Sequence, residues 1–346
     1  MLDRKSFFNN ILKTKNFNKI NKAFKLLKSD IKSFKIPFLQ SFEKNYDFDF
    51  DNKIIRKFSK YENIVIIGMG GSILGTKAIY NFFKNSINKK IFFFDNLDKE
   101  LQINYKKNIN PKKTCFIIIS KSGNTLETLI NLNLVFSKNL LKNKLVIISE
   151  IKNSSLMNIA DKYNAEVIEY KNFIGGRYSV MSEASMFPTA LMNLDINKFK
   201  NLNGLLNQKS FVSALLNNVS SINTLNQKGF KNSIILNYDS GLENLSLWYQ
   251  QLVGESLGKK GKGIMPTIST CPRDHHSLLQ LYLDGPKDKF FTFLSRAPKK
   301  NDKLQSIINA QCQATVNIFK KKKIPFRHFI FKKNNENELG SIFTFF

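Results

Sequence analysis

The sequence predicts an α/β protein: two doubly wound parallel-sheet domains preceded by an N-terminal helical arm. Three observations predict it. From Asn63 onward, short β-rich runs alternate with amphipathic helical segments, the pattern of parallel strands joined by crossover helices. The alternation resumes after an Asn- and Ser-rich stretch at about Asn193–Lys231, so it describes a second sheet. The length of 346 residues suits two domains of about 150 residues each.

The expected divisions are 1–58 for the arm, 59–195 for the first domain and 196–346 for the second. In the arm, Phe8, Ile11 and Leu12, then Phe24, Leu26 and Leu27, give broken helical faces. Asn63–Ile67 reads as a buried strand and Ser72–Phe83 as the helix after a glycine turn. Ile91–Phe94, Cys115–Ile119 and Leu145–Ile148 are the next strands, with Leu126, Leu129, Ile130 and Leu134 marking one helical face between the last two. In the second domain, Ser233–Asn237, Phe290–Leu294 and Phe326–Phe331 are the strands. Ligands of such sheets bind at strand carboxyl ends, where the strand order reverses, so functional residues are expected after strands.

Lys+Arg number 54 against 26 Asp+Glu, a formal net charge of +28. The lysines are spread along the chain in company with Asn, Ile and Phe, all encoded by A/T-rich codons, which favours a solvated basic surface over a nucleic-acid site. The field still suits a small anionic substrate. No pair of short helices with a tight glycine turn occurs in residues 1–60, and no partner nucleic acid is expected. No apolar run approaches the ~18 residues of a membrane helix, and MLDRKSFFNN lacks a secretory h-region. Cys115, Cys271 and Cys312 are too dispersed for a metal quartet or a disulfide framework. The expectation is a soluble cytoplasmic chain without membrane partners.

Two loops stand where a phosphate would bind. GMGGSILG, Gly68 to Gly75, follows a strand and opens a helix, where glycines admit a ligand and free N–H groups attract an anion. It departs from the dinucleotide fingerprint at Ile73, although Asp95 could hold a ribose, and Gly75-Thr76-Lys77 does not make a nucleoside-triphosphate loop. SKSGNTLET, Ser120 to Thr128, offers the hydroxyls of Ser120, Ser122, Thr125 and Thr128 and the cation of Lys121 at a second strand-to-helix junction. That density suits a phosphate monoester. It also reads as a capping box, with Asn124 as N-cap and Glu127 three residues later.

GMGGSILG followed by SKSGNTLET resembles the sugar isomerase (SIS) domain. GGRYS (Gly175–Ser179), QQLVGESLGK (Gln250–Lys259) and HSLLQ (His276–Gln280) extend the resemblance to the glucose-6-phosphate isomerase family, in order and spacing over roughly residues 60–345. FDNLD, Phe94–Asp98, is also similar to a family segment. The resemblance implies SIS-type domains, aldose–ketose isomerisation of glucose 6-phosphate and fructose 6-phosphate through a cis-enediol, no cofactor, no metal and a homodimer with shared sites.

That chemistry needs a carboxylate base, a stabiliser of enediolate oxygens and help in opening the ring. Glu255 lies four residues after Gln251, so both can project from one helical face. Leu242, Leu245, Trp248, Tyr249, Leu252 and Val253 give that helix its apolar stripe, with Asp239 or Ser240 as N-cap. By position alone Glu255 also reads as a solvent-facing carboxylate; the resemblance makes it the base. Arg177 reads as a salt-bridge residue or, by resemblance, the intermediate's stabiliser, its charge fixed. The matching H-S-x-x-Q makes His276, not His275, the ring-opening histidine, supplied by the neighbouring subunit. His328, in an apolar strand, reads as structural. By the resemblance, the phosphate contacts carry over to Ser120, Lys121, Ser122 and Thr125, with Gly71 and Ser72 at the sugar side and Gln251 at a ligand-contacting position.

In the family, the segment matching ELGSIFTFF leads into a further helix and a lysine. The aromatics ending at Phe346 are therefore expected to lie uncovered, as in a truncated product or fragment; the alternative is a short form in which Lys259 substitutes. A sugar-phosphate sensor is the competing function, although it has no need of Glu255 and His276. An oxidoreductase is disfavoured by Ile73, and selectivity over mannose 6-phosphate stays open.

Overall fold

A computed structural model describes residues 8, 17–135, 144–298 and 301–346. They form two compact units: Pro37–Lys200, and the described residues before Pro37 together with Asn201–Phe346. The segment read as one arm is thus shared between them. The 3-10 turn Pro37–Phe42 and the helix Asn52–Ser59 belong to the first unit, the helix Phe17–Lys32 to the second. Ile11 and Leu12 lie outside the described residues. Phe24 is buried, whereas Leu26 is exposed.

In the first unit, β1 (Asn63–Gly68), β2 (Lys90–Phe94), β3 (Thr114–Ile119), β4 (Leu145–Ser149) and β5 (Glu166–Glu169) form one parallel sheet in the order β2-β1-β3-β4-β5. Every residue of β1, β3 and β4 is buried, which explains their apolar middles, with polar side chains only at the ends, Asn63, Thr114 and Ser149. The sequence did not announce β5, a four-residue edge strand with glutamates at both ends. The helix Leu126–Val135 buries Thr128, Asn131, Leu132 and Val135, while Leu126 and Leu134 face outward. Its inward face is therefore rotated from the apolar one, because Asn131 is used inside, donating to the Asn96 carbonyl at 3.1 Å.

In the second unit, β6 (Asn232–Asn237), β7 (Met265–Thr270), β8 (Lys289–Arg296) and β9 (Phe326–Phe331) form a parallel sheet in the order β7-β6-β8-β9. The unannounced strand is again at an edge: β7 contains Pro266, which an edge strand tolerates. The stretch read as a separator holds the helices Leu202–Asn207 and Lys209–Gln227. Its polar residues turn inward because they are bonded there, Asn218 donating to the Ala214 carbonyl at 2.8 Å and Asn217 accepting from the Phe8 N–H at 3.3 Å.

The core here is aromatic. Phe293 packs edge-on to Phe319 and Phe326, both with ring centres 5.3 Å away. Of the closing aromatics, expected to be uncovered, Phe343 and Phe345 are buried and Phe346 is half-buried. Asn335 caps the helix Glu336–Phe345 by accepting from the Glu338 N–H at 3.0 Å. That helix sets Phe343 4.8 Å from Trp248 and Phe345 5.7 Å from Phe211, so the unit's own helices cover them. In each sheet the second strand lies on the opposite side of the first from the third, placing reversals at β1/β3 and β6/β8.

Candidate active site

The first unit brings its two candidate phosphate loops together at the β1/β3 reversal, since Gly68 and Ile119 are register partners at the strand ends. Gly70, at φ 53° and ψ −124°, takes a backbone conformation that disfavours a side chain, and turns the chain into the helix Gly71–Phe83. At Gly71 the reason for glycine is contact: a Cβ would lie 2.1 Å from the Gly176 carbonyl oxygen and 2.7 Å from the Arg177 nitrogen. The Ser179 hydroxyl sits 2.9 Å from the Gly71 carbonyl and 2.8 Å from that of Gly176. The GGRYS segment is thus stitched onto the GMGGS loop, which sets the Arg177 backbone against Gly71. The half-buried Arg177 guanidinium lies 4.5 Å from the Tyr178 ring centre.

In the SKSGNT loop, the Ser120 and Thr125 hydroxyls are 2.8 Å apart, while Ser122 accepts from the Asn124 N–H at 3.2 Å. Gly123 has φ +70°, and a Cβ there would meet Ser154 Oγ at 2.3 Å. Two details differ from the sequence reading. Thr128 is fully buried on the inward face of the helix Leu126–Val135. Asn124 does not cap its own helix: its oxygen accepts from the Ser155 N–H at 2.9 Å, at the start of the helix Ser155–Tyr163. Lys121 braces the loop, donating to the Asn172 carbonyl at 2.7 Å and lying 3.6 Å from Glu150. Asp95, a candidate ribose acceptor, is ion-paired with Lys77.

The second unit carries the proposed acid–base residues. Asp239 accepts from the Gly241 N–H at 2.8 Å and so caps the 3-10 turn Ser240–Leu242, from which the helix Glu243–Leu257 continues. Gln251 Nε2 donates to Glu255 Oε1 at 2.7 Å, and Glu255 is exposed. Gln250 Nε2 donates to the Pro266 carbonyl at 3.0 Å, which fixes the helix's later turns near the amino end of β7. Glu255 therefore does not follow a strand, contrary to the expectation for this fold.

His276 does follow one, beyond the carboxyl end of β7 and the 3-10 turn Arg273–His275. Asp274 ties that turn down, accepting from the Thr270 N–H at 2.7 Å, the Ser269 hydroxyl at 3.2 Å and Arg273 Nε at 2.9 Å. Burial pushes the Asp274 carboxyl up, but these bonds outweigh it and hold it below its ordinary value. The two histidines point differently. His275 Nε2 meets the Tyr238 hydroxyl at 2.7 Å, and burial, then the neighbouring His276, lowers its pKa; His276 is exposed. His328 is buried on Ser295, with Nε2 to Oγ 2.8 Å.

Residues 52–270, more than half of the chain, match the phosphoglucose isomerase family. The chain belongs to that family. It is 39% identical over 72% of its length to a glucose-6-phosphate isomerase of Methanocaldococcus jannaschii, covering 63% of that protein. It is 31% identical over 95% of its length to a probable glucose-6-phosphate isomerase of Methanococcus maripaludis, covering 81% of it. Solved structures share the fold: a hypothetical protein from Thermus thermophilus (TM-score 0.76, 20% identity, 95% of this chain and 89% of the other) and a glucose-6-phosphate isomerase from Chlamydia trachomatis (0.70, 21%, 85% and 65%). For this member of the phosphoglucose isomerase family, the residue that sequence reasoning missed is Ser179. Its signal lay in the GGRYS motif, whose serine ties two loops together.

Proposed function

We propose that this chain interconverts glucose 6-phosphate and fructose 6-phosphate through a cis-enediol, in glycolysis and gluconeogenesis, without cofactor or metal. Membership of the phosphoglucose isomerase family is the observation that carries this reading. Ser120, Ser122 and Thr125 hold the phosphate, with Lys121 adding positive charge beside it; Gly71, Ser72 and Gln251 contact the sugar. Glu255 removes the proton from one of the two adjacent carbons and returns it to the other. Arg177 stabilises the enediolate oxygens, its guanidinium remaining charged throughout. His276 assists ring opening.

Within one chain, Glu255 belongs with the amino end of β7 and His276 with its carboxyl end. That separation supports a homodimer in which a second copy supplies the histidine. Among the described residues no helix is long and apolar enough to cross a membrane, in keeping with a cytoplasmic enzyme. The test is conversion of fructose 6-phosphate to glucose 6-phosphate by this chain, purified free of host isomerase. Turnover is expected; absence of both turnover and sugar-phosphate binding in the folded protein overturns the assignment.

A further inference from the structure

We infer that Phe38 and Tyr178 are positioning residues for Arg177, their stacked rings setting where the guanidinium stands in the site. The inference rests on the proposed role of Arg177 as stabiliser of the enediolate. The Arg177 guanidinium carbon lies over the Tyr178 ring, 4.5 Å from its centre. The same ring stacks on Phe38, with centres 4.4 Å apart and planes 17° from parallel. All three side chains belong to the first unit and are half-buried. A long, half-buried arginine side chain has much rotamer freedom to lose, and an aromatic face that attracts the cation selects among its conformers. The attraction acts on the charge as a whole, so it demands no particular N–H and suits a group whose edge must meet oxygens.

Both rings are fixed by contacts of their own. The Tyr178 N–H donates to the Gly175 carbonyl at 2.9 Å, in the 3-10 turn Gly176–Met181. A Cβ at Gly175 would stand 3.2 Å from Tyr178 Cδ2, so the motif's first glycine makes room for the ring. Phe38 arrives from the 3-10 turn Pro37–Phe42, ahead of residues 52–270 that match the phosphoglucose isomerase family. Ser41 braces that turn, donating its hydroxyl to the Phe38 carbonyl at 2.8 Å, and the Phe42 side chain is buried. Farther along, the Tyr46 hydroxyl and the Asp49 N–H donate to Glu183 at 3.0 and 3.3 Å. Glu183 opens the helix Glu183–Leu191 that follows the GGRYS turn. The segment carrying Phe38 is thus fastened to the chain just beyond Arg177, which holds its ring against Tyr178.

The test uses two probes with one carbon chain. Arabinonate 5-phosphate carries a carboxylate that stands for the enediolate oxygens, and arabinitol 5-phosphate has a neutral alcohol in its place. The parent is expected to turn over fructose 6-phosphate and, by titration calorimetry, to prefer the carboxylate. Phe38→Leu keeps apolar bulk but loses the ring face, and should cut both that preference and kcat by about tenfold, the scale on which a small misplacement acts. Affinity for arabinitol 5-phosphate and KM should stay within about twofold. Tyr178→Leu should cost at least as much, whereas Phe38→Tyr and Tyr178→Phe, which keep the stack, should match the parent. In Arg177→Met, where the preference is lost, adding Phe38→Leu should change nothing further. An undiminished preference in Phe38→Leu, equal weakening of both probes, or a further loss in the Arg177→Met background overturns the positioning role and leaves the isomerase reading standing. No carboxylate preference in the parent, or its persistence in Arg177→Met, overturns the role of Arg177 and this inference with it. Should Tyr178→Leu fail to fold, the Phe38 variants decide.

Discussion

Gln251 donates its side-chain amide to the Glu255 carboxylate at 2.7 Å, across one turn of the helix Glu243–Leu257. The bond orients the carboxylate proposed as the base. The Gln251 carbonyl oxygen is itself buried without a hydrogen-bond partner among the described residues, an acceptor suited to a sugar hydroxyl. Glu255→Gln should therefore cut kcat by roughly 10²–10⁴-fold with little change in KM, as expected when a base is lost but shape is kept. Gln251→Met should cost less and act on both constants. Steady-state conversion of fructose 6-phosphate checks both; full turnover by Glu255→Gln would remove it from the mechanism.

Gly71→Ala should be far more damaging than its one added methyl suggests. The new Cβ would stand 2.1 Å from the Gly176 carbonyl oxygen and 2.2 Å from its carbon, which are backbone atoms that cannot rotate away. The two loops must separate, and Arg177 moves with them. The expected outcome is a lower Tm and sharply weakened fructose 6-phosphate binding. Gly176→Ala, where a Cβ meets nothing within 4 Å, should leave both nearly unchanged and serves as the control.

The adjacent histidines should separate stability from activity. His275→Phe removes a partner of the buried Tyr238 hydroxyl and should destabilise by about 1 kcal/mol. His276→Asn, at an exposed position, should leave Tm unchanged and lower turnover. If a second copy supplies His276, mixing inactive Glu255→Gln and His276→Asn chains under exchange restores about a quarter of parental activity. Half the dimers are then mixed, and each holds one intact site. No recovery in dimers shown to exchange would place both residues of a site on one chain.

The sheets were legible where strands are covered on both faces, because burial fills their middles with apolar residues: β1, β3 and β4 carry polar side chains only at an end. The two missed strands, β5 and β7, are edges, where one side needs no partner and glutamate or proline is tolerated. Asn- and Ser-rich sequence misled for a related reason. Polarity at Asn217, Asn218 and Asn131 reflects bonds made inside the protein, which single-sequence patterning reads as solvent exposure. At the site, residue types and spacing pointed to the loops, whereas it was the family resemblance that singled out Glu255. Contacts between distant segments, such as Ser179 with Gly71 and Asn124 with Ser155, have no local pattern to betray them.

Lys200 contributes a pH dependence of stability of its own. Its side chain is fully buried; Nζ lies 3.6 Å from the Phe48 ring centre and 4.4 Å from that of Tyr46, with no hydrogen-bond partner among the described residues. Burial lowers its pKa from 10.5 to about 6, against the attraction of Glu183 and reinforced by Lys171. Glu183 is committed elsewhere, accepting from the Tyr46 hydroxyl at 3.0 Å and the Asp49 N–H at 3.3 Å, with Lys171 3.7 Å away. Between about pH 6 and pH 10.5 the unfolded chain binds a proton at Lys200 that the folded chain does not. Stability from this group therefore rises with pH through that window, and the penalty is complete below it. Lys200→Met removes the proton-binding difference while Glu183 and Lys171 stay in both proteins. The variant should exceed the parent by a few kcal/mol near pH 6, because each tenfold difference in proton affinity between the folded and unfolded chains is worth about 1.4 kcal/mol. The gap should close as pH approaches 10. Urea unfolding across that range measures it; a gap that is constant with pH, or a variant less stable throughout, would mean that Lys200 is charged and stabilising in the folded protein.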